Sequence, residues 1–174
     1  MAELDMTQAR TARVDVRALY VSHAAALRSA LARLCDRAEA DDLLQELFVV
    51  AVRRHDELAR ADSPVSWLYG VAVKLAAGRR RRLSLRRFIG LSAAEELAAP
   101  ARSIEEREQL RLLHRALDAL PGKFRDVLVL FELQGLSGEE VGAALGIAVP
   151  TVWTRLSHAR KALSVEVTRL GGGA

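Results

Sequence analysis

Leu136-Ser137-Gly138-Glu139-Glu140-Val141-Gly142-Ala143-Ala144-Leu145-Gly146-Ile147-Ala148-Val149-Pro150-Thr151-Val152-Trp153-Thr154-Arg155-Leu156-Ser157-His158-Ala159-Arg160 is the stretch that decides the fold of this 174-residue chain. Ser137 can cap a helix N-terminus, and Glu140 stands three residues on, where a capping box needs it. Val141, Ala144 and Leu145 give that helix an apolar face. Gly146 falls where the chain turns and a positive φ is expected, and Ile147 and Val149 pack into the turn. A second helix is expected from about Val149 to Leu163, with Val152, Leu156, Ala159 and Leu163 facing inward. Two short helices joined by a glycine turn form a helix-turn-helix, whose second helix fits a DNA major groove about 12 Å wide. Trp153, Thr154, Ser157, His158 and Lys161 are left facing outward, and Arg155, Arg160 and Lys161 are available to phosphate. A helical hairpin in any small bundle would show the same apolar pattern. The glycine placement and the basic second helix favour DNA.

Working outward, a helix is expected from Ile104 through Leu110, Leu113 and Leu117 to Leu120, broken by Pro121-Gly122, then another over Phe124–Gln134 that stops at Gly135. Near the N-terminus, Val16, Leu19, Tyr20, His23, Leu27, Leu31 and Leu34 recur at helical steps. Asp36 and Glu39 read as a capping box for a helix over Ala38–Arg54. Its apolar members are Leu43, Leu44, Leu47, Phe48, Ala51 and Val52, and its first turns expose Glu39, Asp41, Asp42 and Glu46. Ser63 before Pro64 starts a third helix, expected to run to Arg82 with Trp67, Leu68, Val71, Ala72 and Leu75. Leu83–Ser103 has no sustained period and contains Gly90 and Pro100, with room for a short helix near Ala93–Ala98. The expected fold is all-α: two small helical domains, 14–83 and 104–170, joined by a flexible linker at 84–103, the second domain carrying the helix-turn-helix. The linker leaves their relative orientation open. Their apolar faces are expected to cover one another or to be covered by a partner.

The net charge of +4 says little, but its distribution is informative: from Lys74 to Arg87 there are seven basic residues and no acid. Such a stripe suits phosphate contact; a solubilising or membrane-surface tract is the competing reading. The single cysteine, Cys35, rules out an intrachain disulfide and reads as a small buried hydrophobe, in keeping with a reducing cytoplasm. No secretory leader and no long apolar run suggest a signal or membrane insertion. No phosphate-cradling glycine loop, zinc motif or nucleophile elbow is present, so neither catalysis nor a cofactor or metal is expected.

At these residues the chain resembles the bacterial sigma factors. Leu120-Pro121, Phe124-Arg125-Asp126-Val127-Leu128 and the stretch quoted above look like region 4. Ala40-Asp41-Asp42-Leu43-Leu44-Gln45-Glu46-Leu47-Phe48 is similar to region 2.2, and Ser66-Trp67-Leu68-Tyr69-Gly70-Val71-Ala72 with the basic helix behind it to regions 2.3 and 2.4. Regions 2 and 4 alone, with a short linker, are the pattern of the extracytoplasmic-function (ECF) group.

The resemblance implies a specificity subunit of RNA polymerase. Asp41, Asp42, Gln45 and Glu46 would bind the β′ clamp helices, and the C-terminal domain would meet the β flap. Asp62, Ser63, Ser66, Trp67, Lys74, Arg79, Arg80 and Arg81 would engage the melted −10 strand. Trp67 can be a base-stacking platform or a core residue, with Tyr69 a lesser stacking candidate. Thr151, Trp153, Thr154, Arg155, Ser157, His158 and Arg160 would read the duplex −35 element. Here the chain departs from the family at Ala148, Pro150, Trp153 and His158, where a serine cap, a small residue and two basic residues are usual. Trp153 cannot make an arginine's bidentate guanine contact, which leaves the base preference open. An anti-sigma factor is an expected partner. The competing reading is a stand-alone helix-turn-helix regulator that binds operators as a dimer.

Overall fold

The computed structural model describes residues 14–88 and 104–171. Within them the chain is helical, with no strand. In the N-terminal domain α1 spans Val16–Leu34, α2 Ala40–Arg53, α3 His55–Arg60 and α4 Pro64–Phe88. In the C-terminal domain α5 spans Ile104–Ala119 and α6 Gly122–Leu128. A π-helical segment follows at Val129–Leu133, then α7 at Gly138–Leu145 and α8 at Val149–Gly171.

Local chemistry sets most boundaries. The Asp15 carboxylate accepts from the Arg17 and Ala18 amides and caps α1. Ser63 Oγ accepts from the Ser66 amide at 3.1 Å at the start of α4, and Pro64 occupies the first helical position, where its missing N–H costs nothing. Ser137 and Glu140 form the expected capping box, and Gly146 adopts φ 64°, the left-handed conformation expected of it.

Several expectations are corrected. Asp36 does not open α2: its carboxylate accepts from Ala38 N at 3.2 Å, and the helix starts at Ala40. Glu39 makes no cap because its carboxylate is taken by Arg79, forty residues away. The short helix α3 was not anticipated; Leu58 anchors it, fully buried. Helix α4 continues past Arg82 to Phe88, about 37 Å in all. Phe124–Gln134 is not one α-helix, because Gln134 N donates to Val129 O at 3.0 Å, a five-residue step, and Gly135 at φ 72° ends the segment. Helix α8 runs beyond the expected end at Leu163 to Gly171. The short helix expected near Ala93–Ala98 lies outside the described residues.

Helix α1 packs on α2 and α4, and α2 also packs on α4. Leu27, Leu31, Leu43, Leu47, Leu58 and Leu68 are almost fully excluded from water. Each such leucine contributes about 1.5–3 kcal/mol of burial. In the C-terminal domain α8 packs on α5, α6 and α7 and buries Val152, Leu156 and Ala159. The two domains do cover one another. Helix α4 lies against α7, and α1 touches the π-helical segment, so the buried residues form one continuous cluster.

A close backbone approach and a polar knot hold this junction. A β-carbon at Gly70 on α4 would stand 2.5 Å from the Ala144 carbonyl oxygen of α7, so only glycine fits. Arg80 on α4 donates to the Leu34 carbonyl at the end of α1 and pairs with Asp126 on α6 at 3.3 Å. Arg125, 5% exposed, donates to the Leu117 and Asp118 carbonyls at 2.8 Å each and reaches the same Leu34 carbonyl at 3.4 Å.

Candidate nucleic-acid and partner interface

Asp41, Asp42, Gln45 and Glu46 are all exposed on α2. They are not equally free. Arg28 of α1 makes a bidentate pair with Asp41, and that hydrogen bond holds the Asp41 carboxyl below its ordinary value. Glu46 lies 3.8 Å from Arg79. Val49 and Val52 continue the same face, 47% and 63% exposed. Val52, an apolar member of this helix, is therefore outside the core: ten residues on from Asp42 and three on from Val49, it shares the acidic face. That spacing is the signal that could have placed it there.

At the start of α4, Asp62 is exposed, Ser63 is half-buried and spends its hydroxyl on the helix cap, and Trp67 is half-buried against the core. Ser66 is 2% exposed, and its hydroxyl has no hydrogen-bond partner. Tyr69 is buried near Glu140 of α7; burial raises its phenol pKa, and the carboxylate adds to the rise. Further along, Lys74 and Arg81 are exposed, whereas Arg79 is held by Glu39 and Glu46, and Arg80 by Leu34 and Asp126. The arginine stripe is thus split between outward cations and internal ones.

On α8, Trp153, Thr154, Ser157, His158 and Arg160 are exposed, while Thr151 and Arg155 are half-buried. The Trp153 ring meets Phe131 edge-on with centroids 5.3 Å apart, and a β-carbon at Gly138 would lie 2.6 Å from its Cζ2. Thr154 donates its hydroxyl to Pro150 O at 3.0 Å. His158 stacks on Phe124, and Arg160 donates to Glu132 at 2.7 Å. Arg155 lines a cleft of about 450 Å³ between the domains, together with Arg80, Arg81, Lys123 and Asp126.

Two family models match the chain in order. Sigma-70 region 2 matches residues 19–86, and Sigma-70, region 4 matches residues 110–163. The ECF RNA polymerase sigma factor SigL of Mycobacterium tuberculosis is 31% identical over 162 residues, 90% of either chain. The chain belongs to the ECF RNA polymerase sigma factors. Against the ECF RNA polymerase sigma-E factor of Escherichia coli K12, this sigma factor is 29% identical over 164 residues, 87% of its own length and 86% of the relative's. Two solved structures share its fold. One is the sigma factor RpoE of Bartonella quintana, solved with the anti-sigma factor NepR (TM-score 0.68, 23% identity, 87% of this chain and 96% of that one). The other is CnrH, solved with the cytosolic domain of CnrY (TM-score 0.69, 24% identity, 97% of this chain and 96% of that one).

In this ECF sigma factor, region 2 supplies the acidic helix α2 and the basic helix α4, and region 4 supplies α7 and α8. Among the described residues no helix is long and apolar enough to cross a membrane, and no cluster of His, Cys, Asp and Glu is placed to hold a metal.

Proposed function

We infer that the chain binds core RNA polymerase and directs it to specific promoters, without catalysis or a cofactor of its own, in the cytoplasm. The observation that carries this is the pairing, in one chain aligned with ECF sigma factors over nine-tenths of its length, of an acidic exposed helix face with a helix-turn-helix. Asp42, Gln45 and Glu46, with Asp41 behind them, face the arginine-bearing clamp helices of β′; charge complementarity there supplies steering and register. The β flap takes the C-terminal domain.

The start of α4, with Asp62, Ser63, Ser66 and Trp67, receives the melted −10 strand, and Lys74, Arg79, Arg80 and Arg81 follow its backbone. Trp153, Thr154, Ser157 and His158 face the −35 duplex, and Thr151, Arg155 and Arg160 lie beside its phosphates. An anti-sigma factor is the matching regulatory partner, as NepR is for the structural neighbour RpoE of Bartonella quintana.

The test is transcription in vitro with purified core polymerase on a library of upstream regions. Promoter-specific transcripts that require the chain are the expected result. Tight duplex binding by the free chain with no such transcripts would mark a stand-alone regulator instead.

A further inference from the structure

We propose that Trp153 reads the −35 duplex by apolar contact with a thymine 5-methyl group, which makes thymine the base selected at that position. The proposal deepens the −35 reading above and rests on it. The site is the exposed indole near the start of α8, and its ligand is the methyl that only thymine carries into the major groove.

The polar donors around Trp153 are committed elsewhere. In a helix-turn-helix the first residues of the second helix meet base edges. Trp153 and Thr154 are the fifth and sixth residues of α8. Thr154 donates its hydroxyl to Pro150 O at 3.0 Å. Arg155 is half-buried and lines the interdomain cleft with Asp126. Arg160 donates to Glu132 at 2.7 Å. Lys161 stands eight residues on from Trp153, about 12 Å of helix rise. No free guanidinium fork therefore stands at the head of α8 to take guanine O6 and N7. Ser157 is exposed, but a hydroxyl both donates and accepts and so separates bases poorly.

Trp153 is built for a different contact. Its ring meets Phe131 at 5.3 Å, and a β-carbon at Gly138 would stand within 3.2 Å of its Cζ2, Cη2 and Cε2. The indole is thus seated against the α7 backbone and a second aromatic ring. That support fixes it before DNA arrives and removes much of the ordering cost that a mobile side chain carries into binding. An indole has one N–H donor and no acceptor. It cannot accept from cytosine N4 and cannot bridge the two guanine acceptors. Its one N–H would meet the N7 acceptor of adenine and of guanine alike, without choosing between them. Its apolar surface matches one feature of the groove, the thymine methyl.

The experiment uses holoenzyme, reconstituted from core polymerase and the full chain, on a promoter recovered from the upstream-region library. Each thymine of the −35 element, on either strand, is replaced in turn by deoxyuridine, which removes the methyl and keeps the pairing. At one or two thymines this should lower holoenzyme affinity about fourfold, the effect of one buried methylene-sized group. With Trp153→Ala the same replacements should have no effect, since the cycle isolates the contact between the indole and the methyl. A purely structural role for Trp153 would lower affinity for thymine and deoxyuridine duplexes alike. Should Trp153→Ala lose helicity by circular dichroism, Trp153→Arg, a residue type usual in the family there, takes its place in the cycle. A −35 element without thymine, deoxyuridine tolerated at every position, or an equal methyl effect in wild type and variant would each overturn the proposal. Failure of the −35 reading itself shows differently. A scrambled −35 element would then leave holoenzyme affinity unchanged, whereas a scramble that weakens binding with every methyl dispensable sinks the thymine contact alone.

Discussion

Arg125 on α6 donates to the carbonyl of Leu34, the last residue of α1, at 3.4 Å across 91 positions of chain. Arg80 donates to that same oxygen. The buried Arg125 guanidinium therefore ties the end of one domain to the carbonyls of Leu117 and Asp118 in the other. Arg125→Met keeps much of the stem and strips those carbonyls of their donor. It should destabilise the chain by about 3 kcal/mol, since loss of a buried charged donor leaves several acceptors unsatisfied. Urea denaturation checks this; an unchanged midpoint would mean that the carbonyls find other donors.

Asp42 is exposed and free of the Arg28 pair that occupies its neighbour Asp41. Asp42→Lys should weaken binding to core polymerase at least about tenfold, more so at low salt, while shifting stability by less than about 0.5 kcal/mol. Titration of labelled chain with core polymerase measures the first quantity and thermal melting the second. Retained core affinity would remove α2 from the polymerase interface.

Trp153 is 47% exposed, with the rest of its ring against Phe131 and Gly138. Trp153→Ala should cost about 1–2 kcal/mol of stability, below the value for a fully buried ring. It should also lower affinity for duplexes carrying the −35 element. In a Trp67→Phe background the Trp153 fluorescence reports that contact directly. An emission spectrum unmoved by saturating duplex would place the indole outside the DNA interface.

His114 on α5 is half-buried, and burial lowers its pKa from the ordinary 6.5. Asp118 and Asp36 oppose that shift, while Arg33 and Arg37 reinforce it. A histidine with a depressed folded pKa binds fewer protons folded than unfolded. Its contribution is therefore present above about pH 6.5 and is lost as pH falls through the folded value. The melting temperature should drop between pH 7.5 and 5.5, and His114→Gln should flatten that drop. An identical slope in the variant would assign the pH dependence to other groups.

The legible parts of the fold were those set within a few residues of chain. Ser137 with Glu140, Gly146, and Ser63 before Pro64 each act over one helical turn, and each does what its local chemistry requires. Interactions across long separations were not legible. Glu39 fails to cap α2 because Arg79, forty residues on, takes its carboxylate. The π-helical step at Val129–Leu133 arises where the end of α6 must fit α1 and α7, and nothing in the apolar spacing marks it. The same holds for the candidate site. The residue types on α2, α4 and α8 showed which helices carry charge, but only packing separates the exposed Arg81 from the latched Arg80.

The Trp153 indole fills the space above Gly138 and makes the two positions a single unit of variation. A side chain at 138 is compatible with this helix-turn-helix only if residue 153 shrinks or turns away. A lineage could recover the basic residue usual in the family at 153 without touching 138, whereas the reverse order of substitutions would pass through a clash. The route by which such a recognition helix changes its preferred bases is thus directional, with the glycine the last of the two to be released.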